Sequence, residues 1–202
     1  MRNFEFLEPK SAREASRMLA DNGVSVALGP QAEMTMDELG VMPIGRLLAA
    51  GIRPSLSGDT ETAGSGDLFT QMRLALAGER QLSNNRLAGH SSQLRVRDVL
   101  EFATIEGAKA CGLERRTGSL TPGKQADLIC IRRSDLNLVP VSDAVGAVVL
   151  AAHPGNIDTV MVAGRVVKQG GRMIGYDAGA IRAKATASRD RLLQRAGKSI
   201  SP

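Results

Sequence analysis

The chain has 202 residues, 43% of them hydrophobic, with a formal net charge of +5. That is enough to bury a real core as one domain or slightly more. No apolar run approaches the roughly 18 residues of a membrane helix, and the charged opening "MRNFEFLEPKSAREAS" is unlike a secretory signal, which predicts a cytoplasmic protein without a membrane partner.

"SAREASRMLADNG" predicts a helix capped by Ser11, with Ala15, Met18 and Leu19 on one face and a stop at Gly23. A strand "VSVALG" follows at 24–29, then a short helix in "MPIGRLLAAG" ending at Gly51, and a second strand in "IRPSLSG". "GDLFTQMRLALAGERQL" predicts a longer amphipathic helix with Leu68, Met72, Ala75 and Leu76 inward. This alternation is the pattern of βα units around a parallel sheet, hence a doubly wound sheet or a (β/α) barrel. After a polar loop around "NNRLAGHSSQ", one more helix is expected from about Val96 to Gly112.

The texture then changes. "RRTGSLTPGKQADLICI" is turn-rich and leads into an apolar strand, and "GNIDTVMVAGRVVKQGGRMIG" predicts strands at 157–163 and 165–168 joined by an Ala-Gly turn. A boundary is expected near residue 115, with a small β-rich module over 116–176 and a terminal helix over 177–202. The surplus positive charge is local to that helix: Arg182, Lys184, Arg189, Arg191, Arg195 and Lys198 stand against Asp190 alone. With Ile181, Ala185 and Leu192 to one side it reads as a solvated helix, and one Tyr, four Phe and no Trp leave little to stack on bases, so no nucleic-acid partner is expected. Cys111 and Cys130 have apolar neighbours and are expected as buried, unpaired side chains.

"GSLTPGK" (118–124) imitates a phosphate-binding loop. Gln125 stands where a Ser or Thr would bind magnesium, Pro122 removes a backbone donor, and a strand follows in place of a helix, so a β-turn on Pro122-Gly123 is expected instead. His90, in a polar loop, and His153, before Pro154, are the only histidines, too few for a zinc site by themselves. Asp59 is the sharpest candidate, because it follows the core of the second strand, and side chains at the C-terminal ends of parallel strands face the site; a turn aspartate bonding to its own following amides is the competing reading. Glu61 is expected in the turn and Asp67 as the N-cap of the next helix.

The run "PIGRLLAAGIRPSLSGDTETAGSGDLFTQMRLAL" resembles the last barrel strand and helix of the amidohydrolase superfamily, in its cytosine deaminase-like and chlorohydrolase-like branch. "ATIEGAKACGLERRTGSLTPGKQADLICI" and "IDTVMVAGRVVKQGG" resemble that family's closing helix and its β-sandwich domain, so the likeness covers roughly 11–196. The resemblance implies an α/β fold: a partial (β/α) TIM-barrel C-terminal segment over 1–115, then part of a small composite β-sandwich over 116–176. It also implies a divalent metal, zinc or iron, that activates water against a carbon–nitrogen or carbon–halogen bond of a small heterocyclic substrate. Asp59 matches the family's strand-eight aspartate, which binds the metal-bound water and accepts its proton. The family's other metal ligands have no counterpart here, and no histidine stands near "FEFLEP", where the strand-six histidine would fall. The expectation is a C-terminal fragment of a metal-dependent deaminase, inactive alone. The alternative is a non-catalytic structural or self-associating module, since two parallel strands leave unpaired edges; family members are often dimers or larger, which leaves a homo-oligomer open.

Overall fold

A computed structural model describes residues 10, 14, 18, 21, 23–36, 42–62, 64–85 and 94–198. The expected helix around Ser11, Ala15 and Leu19, the "FEFLEP" segment and His90 lie outside the described residues. The fold is mixed α/β. The first sheet pairs β1 (Ala27–Leu28) in parallel with β2 (Ser55–Leu56), Ala27 opposite Ser55 and Leu28 opposite Leu56. Ser55 N–H donates to Val26 O at 2.8 Å and Ser57 N–H to Leu28 O at 2.7 Å, extending the ladder past both strands.

Two short helices connect the pair. α1 (Pro30–Thr35) was not expected from the sequence; it starts with Pro30 in its first turn, where a missing N–H is no loss. α2 (Ile44–Ala49) matches the expected short helix, and the N–H of Gly45 donates to the buried Glu79 carboxylate at 3.1 Å. α3 (Leu68–Asn84) buries Phe69, Met72, Ala75 and Leu76. Leu68 does not turn inward as expected: it is the first helical residue and 37% exposed.

The single helix expected from Val96 to Gly112 is instead two, α4 (Val96–Phe102) and α5 (Ile105–Ala110). The break is at Thr104, whose φ of −130° and ψ of −91° leave the helical region while its hydroxyl donates to Leu100 O at 2.7 Å. A side chain that competes for a helix carbonyl favours such an interruption. Val99 and Phe102 of α4 are fully buried and join Leu28, Ile44, Leu56, Phe69, Met72 and Leu76 in one core.

The second sheet is antiparallel, in the order β3 (Leu128–Ile131), β4 (Ile157–Val162), β5 (Arg165–Gln169), β6 (Arg172–Met173). β4 and β5 turn on Ala163-Gly164, both at positive φ, as the Ala-Gly signal predicts. Between β3 and β4 the chain makes α6 (Ala144–Gly146), capped by Asp143, which continues as a wider π-type turn at Ala147–Ala151; its Val149 is fully buried against α3 and α4. Arg73 on α3 donates to Ala152 O at 2.7 Å and ties this turn to the helix.

α7 (Ala178–Arg195) buries none of its residues, and Ile181 and Leu192 are 55% and 63% exposed. Both cysteines are exposed, contrary to expectation. Cys111 is the C-cap of α5, and Cys130 lies on β3, where only Leu128 and Ile131 are half-covered. No helix among the described residues is long and apolar enough to cross a membrane.

Candidate functional site

The C-terminal ends of β1 and β2 lie side by side, and the chain leaves them at Gly29 and Ser57. A pocket of about 540 Å³ opens there, lined by Leu28, Gly29, Glu33, Arg46, Ser57 and Asp59 among others. Asp59 adopts φ +54°, a left-handed conformation that Asp tolerates better than most residues, and its N–H donates to the Ser57 hydroxyl at 3.0 Å. Gly29 approaches it closely: a Cβ there would stand 3.0 Å from Asp59 Cβ, tight enough that Asp59 would have to shift by a few tenths of an ångström. On the other side of the pocket the Gly29 N–H donates to Glu33 Oε1 at 2.9 Å, fixing a half-buried carboxylate at the start of α1.

Asp59 and Ser57 meet at this rim with Glu33 and Arg46, two residues that the sequence reading missed. The one signal available was Gly29-Pro30, a strand end followed by a favoured helix start, which would have flagged α1 and a rim residue in its first turn. Thr60 bonds to Thr62 at 3.0 Å and does not line the pocket among the described residues. Ser65 donates its hydroxyl to Asp67. Asp67 is the N-cap of α3, accepting from Thr70 N–H at 2.9 Å and the Thr70 hydroxyl at 2.8 Å. Partial burial pushes its carboxyl up, but the bonds from Ser65 and Thr70 and the charge of Arg73 outweigh that and hold it below the usual carboxylate range. Glu61 lies against Gly66 in the turn, as expected.

The remaining candidates serve local structure. His153 is exposed, and its Nδ1 accepts from Gly155 N–H at 3.1 Å at the head of a short 3₁₀ turn, Pro154–Asn156. Lys124 of the loop-like "GSLTPGK" donates to Thr117 O at 3.1 Å and to the Ser119 hydroxyl at 2.7 Å, and its N–H closes a turn onto Thr121 O at 3.1 Å. Gly118 is there because it meets α5: a Cβ would stand 2.5 Å from Ala108 Cβ.

The chemistry of the Asp59 pocket is that of two carboxylates and a guanidinium around a solvent-open rim. Asp59 could give one ligand to a divalent cation. Among the described residues, however, no three His, Cys, Asp or Glu side chains converge. A catalytic zinc takes three protein ligands, so this donor set does not by itself fit one.

The family model described as the amidohydrolase family matches residues 6–167. A 5-methylthioadenosine/S-adenosylhomocysteine deaminase of Desulforudis audaxviator is 33% identical over 179 residues, covering 88% of this chain and 40% of the relative. The zinc-bound adenosine deaminase of Xanthomonas campestris superposes with a TM-score of 0.82 at 27% identity, over 92% of this chain and 41% of that one. An atrazine chlorohydrolase of Arthrobacter aurescens complexed with zinc and atraton gives a TM-score of 0.75 at 29% identity, over 89% and 39%. The chain therefore spans about two fifths of the length of these relatives.

Proposed function

This chain belongs to the amidohydrolase family, and from that premise we propose that it is the C-terminal part of a metal-dependent deaminase acting on a carbon–nitrogen bond of a small heterocycle of the adenosine type. The observation that carries the reading is Asp59, just beyond the C-terminal end of β2 in a parallel pair, the position from which α/β sheets and barrels present reactive side chains. The part assigned to Asp59 is one ligand of a zinc or iron centre and acceptor of a proton from the attacking water. The centre's other ligands come from outside the described residues, and the chain alone is inactive.

The same proposal divides the chain into a partial barrel over 1–115, a composite β-sandwich contribution over 116–176 and the terminal helix over 177–202. The parallel β1–β2 pair and the antiparallel β3–β6 sheet support that division by their different strand directions. Aminated purine-type rings are the favoured substrates because the relatives named above include two deaminases of adenosine compounds.

Elemental analysis tests the assignment. The purified chain, equilibrated with zinc, is expected to hold well below one zinc per chain. Its complex with a polypeptide matching the N-terminal three fifths of the Desulforudis audaxviator deaminase is expected to hold one. Tight stoichiometric zinc in the chain alone would overturn the reading.

A further inference from the structure

We propose that Gln71 and Gln31 are positioning residues: together they clip the Ser57–Asp67 loop to the β1–α1 turn and thereby hold Asp59 where it faces the pocket. The inference rests on the reading of Asp59 as the reactive carboxylate. Gln71 is fully buried on α3 and does not line the pocket. Its Oε1 accepts from Gln31 N–H at 3.0 Å, and its Nε2 donates to Ser65 O at 3.1 Å. Ser65 N–H in turn donates to Gln31 Oε1 at 2.8 Å, so three residues from three segments close one ring of hydrogen bonds.

The ring reaches Asp59 by two packed contacts. Gly29, two residues before Gln31, is the residue whose added Cβ would press on Asp59 Cβ at 3.0 Å, so the turn held by the clip also backs the aspartate. Gly58, next to Asp59, would place a Cβ 3.6 Å from Gly66 Cα, so the two ends of the loop lie on each other and the clipped end restrains the other. Gly64 completes the fit, because a Cβ there would fall 2.2 Å from Gln31 Cδ and would displace the Gln31 amide. A buried amide needs both its donor and its acceptor met. Leucine at 71 would fill the volume and leave Gln31 N–H and Ser65 O without partners.

Nitrogen-15 relaxation on the intact chain tests the clip without requiring turnover. In the wild type, the Asp59 and Ser65 amides are expected to have order parameters near about 0.85, and in both Q71L and Q31A to fall below about 0.6. V149A, which removes buried volume elsewhere in the core, should lower stability and leave both amides ordered. Q31A decides the matter if Q71L does not fold, since Gln31 is only half-buried and its backbone bond to Gln71 survives. Loosening at Ser65 with Asp59 unchanged would overturn the proposal, as would an Asp59 already below about 0.6 in the wild type. Retained turnover by D59N in the assembled enzyme would refute the role of Asp59 separately, leaving the relaxation result to stand on its own.

Discussion

Replacing Arg53 by Met perturbs the join between β2 and the α4–α5 pair at a single side chain. Arg53 Nε donates to Glu106 at 3.0 Å, and its two terminal nitrogens donate to Asp98 at 3.3 Å and Glu101 at 2.7 Å, while the guanidinium carbon stands 5.1 Å from the Phe102 ring centroid. Burial pulls the guanidinium's pKa down, and the bonds to Glu106 and Asp98 with the charges of Asp98 and Glu101 more than offset that. Asp98 and Glu101 are 27% and 39% exposed, so each pair contributes only about 0.2–1 kcal/mol. Glu106 is 8% exposed and decides the magnitude. Removing one partner of a fully buried pair costs about 3–5 kcal/mol, and here that is discounted to about 1–2 because Arg53 is 36% exposed and Lys109 remains 3.1 Å from the same oxygen. The cation–π contact adds about 0.5–1 kcal/mol. R53M should therefore lose about 2–5 kcal/mol in urea unfolding, with R53K recovering only part, since an ammonium cannot reproduce the fork. A loss below about 0.5 kcal/mol, the level of an ordinary surface change, would refute the reasoning.

Four further outcomes are expected at three residues. D67A removes the N-cap of α3 and should lower stability by about 1 kcal/mol. Because the Asp67 carboxyl is held below its usual value, its stabilising share is present above about pH 4 and lost as pH falls through the depressed value; D67N, which can still accept the Thr70 N–H but carries no charge, should lose that share at neutral pH, keep most of the cap, and flatten the acid limb of a denaturation-against-pH series. F102A, at a fully buried ring, should cost about 3–5 kcal/mol by denaturant unfolding, and a loss under about 1 kcal/mol would mean that α4 is not seated in the core as described. D59N should leave unfolding unchanged within about 0.5 kcal/mol, because Asp59 is exposed and its structural bond is made by the backbone N–H; a larger loss would make its carboxylate structural.

Elements with a strong local signature were legible in the sequence. Asp67 capped its helix, Gly51 and Gly112 stand at φ +78° and +67° where the helices were expected to stop, and the Ala163-Gly164 hairpin formed at its expected place. Misreadings fell where the outcome depends on partners remote in sequence. Thr104 sits inside an unbroken apolar period and still ends a helix, because its hydroxyl takes the Leu100 carbonyl. Cys130 has apolar neighbours, yet which face of a strand is covered is set by what packs on the sheet, and the neighbours carry no such information. Asp59 could be singled out from its place after a strand, whereas Glu33 and Arg46 reach the same rim only because β1 and β2 pair in parallel and bring two loops together. Gln71 shows the same limit: an apolar-face position in a helix pattern gives no hint that the buried side chain there is an amide clip.

The central claim, that this chain carries the reactive carboxylate of a deaminase, is tested most directly by ammonia release from adenosine-type nucleosides. The assay uses the chain assembled with the N-terminal three fifths of the Desulforudis audaxviator relative, wild type against D59N. The account predicts turnover by the wild-type assembly and a fall of about 10²–10⁴-fold in D59N, the size of a lost acid–base group. Equal turnover by the two assemblies would contradict it.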